Sequence, residues 1–163
     1  MTIAHSDLVS LPAPALAIEL PADALEREAL AVAADALAPL MDGAGGPDSA
    51  LLVVSDNAGR ASALRFWADA QRSGVGLANP DLFPWCLANS PCAALSRRFG
   101  LAGPNITWLD GPAGQVQAWQ VAHELLRDER AARVFLVALR LGQDGQPGWL
   151  KAWLATSDEI ART

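Results

Sequence analysis

Few residues of this chain can do chemistry, and their spacing limits what they can do. The thiols are Cys86 and Cys92. A nucleophilic Cys needs a depressed pKa and a base beside it, and no neighbour in sequence supplies either. Both fall in one predicted helix, where a separation of six residues puts them on different faces. They are also too close to suggest a disulfide framework. A metal site would need further His or Cys ligands in register, and there are too few. Buried, structural thiols are the favoured reading. His123 lies inside a predicted helix, and no carboxylate or nucleophile has the spacing that would make it catalytic. Arg97 and Arg98 could hold a phosphate, but an exposed helix end is the favoured role, since cations there offset the helix dipole. Gly43-Ala44-Gly45-Gly46 has the composition of a phosphate cradle. It precedes a strand instead of following one, so the helix N-terminus that would bind the phosphate is missing.

The stretch Gly103 to Leu141 organises the rest. Asn105 to Leu109 is β-branched and aromatic and follows a Gly-Pro break. Asp110-Gly111-Pro112-Ala113-Gly114 forms a sharp turn. Gln115 to Asp128 has helical spacing, and Arg133 to Leu141 is an apolar, β-rich run. A strand-turn-helix-strand unit favours a parallel pair with the helix crossing one face. In many enzymes such a turn presents a nucleophile at the helix tip, but this one has no Ser, Cys or Thr. Along the helix, Val116, Trp119, Ala122 and Leu126, with Ala118, Val121 and Leu125, make a broad apolar face. Gln117, Gln120, Glu124 and Arg127 make one polar stripe, which predicts that one side of this helix meets water or a polar partner.

The other elements follow from similar signals. Residues 1–15 are a lead-in, and Leu16 to Leu20 is a short edge strand flanked by prolines. Pro21 opens a helix in its first turn. That helix runs from Ala22 to about Met41, with Leu25, Ala29, Val32, Ala33, Ala36 and Leu40 on one face and Pro39 bending or ending it. Ala50 to Ser55 is a buried strand. Asp56-Asn57 is placed to cap a helix from Gly59 to Ser73. A loop from Ser73 to Asp81 leads to a helix from about Leu87 to Phe99, closed by Gly100. Gly142 to Gly148 turns into a last strand, Trp149 to Thr156, antiparallel to the one before. The expectation is a layered α/β domain spanning residues 1–163, with a mostly parallel five-stranded sheet, an antiparallel last strand and flanking helices.

Composition excludes several classes. The chain has 163 residues, 12 basic against 18 acidic side chains and a net charge of -6. Without a basic cluster, nucleic acid is not an expected partner. No apolar run approaches the roughly 20 residues needed to span a bilayer. The N-terminus lacks the basic region of a signal peptide, and the cytoplasm is the expected location. An apolar content of 52% calls for a well-covered sheet or a sizeable buried interface.

Several segments carry a family resemblance. Asn79-Pro80-Asp81-Leu82-Phe83-Pro84 resembles the "SP..FP" segment of the β-ketoacyl synthases. Cys92 through Phe99-Gly100-Leu101-Ala102-Gly103-Pro104-Asn105 is similar to their segment ending "fgl.GPn". Val134 to Leu139 sits where they have the strand after the nucleophile helix. The resemblance covers about residues 20–156 and implies the N-terminal half of the thiolase-like fold.

The departures from the family pattern matter as much. Counted from Gly103-Pro104 without gaps, the family's nucleophilic Cys falls at Pro112. The two family histidines lie in a C-terminal half that this chain is not expected to contain, and neither His5 nor His123 matches them. The resemblance thus implies a nucleophile-less relative, with Asp110, Gly111, Pro112, Ala113, Gly114 and Gln115 as a degenerate nucleophile turn. It is similar to the chain-length factors, which lost the Cys and pair with an active synthase, and to short proteins of aryl-polyene and polyketide-type pathways. The family's strand at Gly103, Pro104, Asn105, Ile106, Thr107 and Trp108 pairs across a dimer axis, which makes these residues interface candidates. The implied partners are a ketosynthase, an acyl-carrier protein or a second copy, with no cofactor and no metal. Two other readings stand beside this one. One is a cysteine-dependent enzyme handling acyl thioesters. The other is a small α/β protein binding acyl-CoA at the carboxyl ends of its strands, near Asp110 to Gln115.

Overall fold

A computed structural model of the chain describes residues 11–160. His5 and most of the lead-in lie outside them. One mixed sheet holds five strands: β1 (Leu16–Leu20), β2 (Ser49–Val54), β3 (Asn105–Trp108), β4 (Arg133–Arg140) and β5 (Gly148–Thr156). Their order across the sheet is β1-β5-β4-β2-β3. β2 pairs in parallel with both β3 and β4, while β5 pairs antiparallel with β4 and β1. β5 is thus the single reversed strand, and β1 and β3 are the two margins.

Alternation along the strands builds a core on each face. Leu51 and Val53 of β2, with Phe135, Val137 and Leu139 of β4, face helices α1 (Glu26–Met41) and α3 (Ser90–Phe99). Leu52 and Val54, with Val134, Leu136 and Ala138, face α4 (Pro112–Arg127). β2 is buried along its whole length, as expected of a central strand covered on both sides. α2 (Arg60–Ser73) stands apart. It buries only Ser62 and Ala70 and packs on two 3-10 segments, residues Val75–Leu77 and Pro80–Cys86. A single turn, α5 (Ser157–Ile160), follows β5.

Several local expectations are corrected. α1 begins at Glu26, with Leu25 as its N-cap, so Pro21 precedes the helix instead of opening it. Its buried side adds Leu30, Leu37 and Met41, and Val32 is exposed. Pro39 lies inside the last turn, and the helix stops at Met41. The loop after α2 is largely 3-10. Pro84 and Pro91 keep the segment before α3 from joining it in one helix. α3 therefore starts at Ser90, where the Ser90 hydroxyl donates at 2.6 Å to the Pro84 and Leu87 carbonyls, both within reach. α4 starts at Pro112, three residues earlier than the spacing predicts, because proline is well suited to a helix's first position.

Candidate functional site

The turn ahead of α4 is compact. The Asp110 carboxylate accepts the Gly111 N–H at 2.7 Å. Pro112 and Ala113 are exposed in the first turn of α4, and Gln115 is half-buried. Gly114 lies against β2, where a Cβ would come within 2.8 Å of the Asp110 Cβ and 3.1 Å of a Val54 methyl. Its smallness lets the helix approach the strand. Nothing in the turn is a nucleophile. His123 is roughly 16 Å further along the helix at 1.5 Å per residue, and its ring lies 5.2 Å from that of Trp119. Gln117, Gln120, Glu124 and Arg127 are exposed, so the polar stripe faces outward as its spacing predicts.

The thiols belong to different elements, not to one helix. Cys86 ends the 3-10 segment, and its thiol donates to the Leu82 carbonyl at 3.2 Å. Cys92 is buried in α3 against the Leu51 and Ile106 carbonyls. Burial pushes the Cys92 thiol up. Burial, then the nearby Glu26 carboxylate, pushes the Cys86 thiol up. Each is held in the protonated form, the opposite of what nucleophilic catalysis requires. Among the described residues, no three His, Cys, Asp or Glu side chains are grouped to hold a metal ion.

At the carboxyl ends of β2 and β4 lies a cleft of about 210 Å³, lined by Asn57, Arg60, Leu141 and Gly142 among others. Asp110 to Gln115 take no part in it, so the pocket expected there is displaced. Asn57 does not cap α2. Its side chain donates to the Leu141 carbonyl at 2.9 Å and accepts the Leu141 N–H at 3.0 Å, tying the two strand ends together.

Asn105 to Trp108 form the margin strand β3, with Ile106, Thr107 and Trp108 half-buried. Trp108 and Ile106 pack on the α4-side core. Gly103 has a packing role of its own, since a Cβ there would lie 2.6 Å from the Pro47 carbonyl oxygen. Pro104 carries the carbonyl that receives the Leu51 N–H at 2.9 Å.

A second surface was not legible beforehand. Leu64, Trp67, Val75, Leu77, Phe83 and Leu87, spread over α2 and the 3-10 segments, are 48–77% exposed. Phe83 meets Phe66 edge-on at 6.1 Å, which joins the two parts of this surface. The signal was the weak amphipathic pattern of α2, whose apolar side chains have no sheet to cover.

The chain matches no known protein-family model and no curated protein. Solved structures do match. One is a ketosynthase in complex with its chain length factor from Xenorhabdus doucetiae, at TM-score 0.61 and 16% identity, covering 78% of this chain and 56% of that one. Another is a type II polyketide-synthase acyl-carrier protein in complex with its ketosynthase, at 0.61 and 13%, covering 85% and 44%. A third is the ishigamide ketosynthase/chain length factor, at 0.59 and 14%, covering 70% and 37%. The fold is ketosynthase-like. The chain spans between 37% and 56% of the length of these three solved chains. The ketosynthase-like sheet runs through β2, β3 and β4, and α4 crosses one face between the last two, as the motif resemblance implied. Among the described residues, no helix is long and apolar enough to cross a membrane.

Proposed function

We propose that this chain is a non-catalytic, ketosynthase-like subunit of a fatty-acid or polyketide pathway, acting in the cytoplasm by binding an active ketosynthase or an acyl-carrier protein. The observation that carries the reading is Pro112 at the first position of α4. The family resemblance places the nucleophile there, and proline offers none. Two raised thiols favour the same conclusion over a cysteine-dependent enzyme. The pairing seen in chain-length factors supports an aryl-polyene-type system as the finer assignment.

The margin strand β3 is the proposed contact, with Gly103 to Trp108 and α3 beside it. Its outer edge leaves backbone N–H and C=O groups to be paired, and Trp108 supplies an aromatic anchor. A standard interface buries on the order of 1,600 Å² in total. Sedimentation of the pure protein, alone and with a ketosynthase encoded beside it, tests the proposal. A homodimer or a heterodimer is expected, and Trp108→Asp should dissociate it by desolvating a charge at the contact. A monomer in both samples, with the variant behaving like the parent, would sink it.

A further inference from the structure

We propose that the groove between α1 and α3, on either side of Trp85, docks an acidic amphipathic helix presented by a partner protein. Two clefts adjoin there, of about 340 and 280 Å³, and share Trp85, Ala94 and Arg98. Their floor is apolar, with Leu30 and Leu95 at the base of the second and the half-buried Trp85 indole between the two. Their rim is cationic. Arg27 rises from α1, and Arg97 and Arg98 from the last turn of α3. All three are exposed, and none forms an ion pair among the described residues. Asp35 is the one carboxylate in the lining.

That balance runs against the rest of the molecule, which has 18 acidic and 12 basic side chains. Three unpaired guanidinium groups around an apolar floor, on an acidic protein, complement a partner that is itself acidic around an apolar stripe. The Arg98 guanidinium lies 5.3 Å from the centre of the Phe99 ring, so less of its freedom is lost on binding. Trp and Arg are also the residue types that dominate binding energy at protein interfaces.

A lone carboxylate or phosphate would reach one bank only, because the cations stand on two different helices. A helix about 10–12 Å across, with acidic side chains three and four residues apart, presents several carboxylates to both banks while its apolar stripe meets Trp85. The inference stands on the charge and shape of this groove, not on the ketosynthase-partner reading, and it would survive the failure of that reading.

The test uses the full chain and nuclear magnetic resonance of the tryptophan indoles, with Trp85 assigned by its loss in Trp85→Phe. The probes are bridged helical peptides carrying a Leu and Ala stripe flanked by Glu, with the stripe set in each possible register. At about 0.05 M salt, where screening is weak, one register should shift the Trp85 signal saturably. Replacing its Glu by Gln should weaken binding about tenfold or more, as should Arg97→Glu with Arg98→Glu. A Lys-bearing peptide should bind that reversed variant, which shows that it is folded. Binding should fade near 0.5 M salt. Trp85 unmoved by every register, or a Gln peptide binding as well as its Glu parent, overturns the proposal. So does a Trp85 shift with inorganic phosphate or dodecanoate but with no helix.

Discussion

Glu26 and Ser62 join the starts of two helices in a site closed to solvent. Glu26 lies in the first turn of α1, yet its carboxylate accepts the Ala61 and Ser62 N–H groups of α2 at 3.0 and 2.9 Å and the Ser62 hydroxyl as well. Both side chains are buried. α2 has no side-chain cap of its own, because its N-cap is Gly59 at φ +81°. The first N–H groups of a helix lack internal partners and form the positive end of its dipole. A carboxylate delivered from another helix answers both needs. It also fixes α2, which buries little else, to the body of the protein.

Glu26→Gln should therefore destabilise the fold by about 1–3 kcal/mol, since it turns an amide N–H₂ toward donors that need an acceptor. Chemical denaturation measures the loss, and amide exchange at Ala61 and Ser62 should speed up with it. Unchanged stability and exchange would mean that this carboxylate does not hold α2.

Glycines separate into tight and open positions. A Cβ at Gly103 would sit 2.6 Å from the Pro47 carbonyl oxygen and would crowd that of Ser49, both backbone atoms that cannot swing aside. Gly103→Ala should cost about 1–3 kcal/mol through overpacking. A Cβ at Gly76 meets nothing within 4 Å, so Gly76→Ala should change stability by about 0.5 kcal/mol or less. Equal melting temperatures for the two variants would contradict this packing.

Burial raises the Cys92 thiol in the folded state. Its contribution is fully present below the ordinary thiol pKa of about 8.5 and is lost as pH climbs through the higher folded value. The chain has no Tyr and its one Lys is Lys151, so few other groups titrate in that range. Denaturation midpoints should fall above pH about 9, and Cys92→Ala should flatten the fall more than Cys86→Ala. An alkaline slope identical in parent and Cys92→Ala would count against it.

Pro112→Cys should not create condensing activity with malonyl and acyl thioesters. The new thiol would stand at the N-terminus of α4, but the one described histidine, His123, stands roughly 16 Å along the helix and packs on Trp119. No base is placed to take the thiol proton. Carbon-carbon bond formation by the purified variant, above that of the parent, would show that a base is within reach.

Periodicity and turn chemistry determined much of this protein by themselves. The period-2 runs of β2, β4 and β5, the 3.6-residue stripes of α4, and Gly100 as a C-cap at φ +64° are local matters, set by how neighbouring residues must point. The Gly-Pro break before Asn105 and the empty turn at Pro112 were legible for the same reason. The short link from β4 to β5 also determined that the last strand runs backward. Tertiary structure decided the rest, because it rested on pairings between residues far apart in the chain. Asn57 reads as a helix cap in sequence, yet its amide is taken by Leu141, 84 residues away. Glu26 reads as a surface residue in an amphipathic helix, and becomes buried once the α2 N-terminus supplies donors to its charge. Arg27 lies 70 residues from Arg97 in the chain. Only the packing of α1 on α3 brings their guanidinium groups to one groove, since no local propensity of either helix encodes where the other will lie.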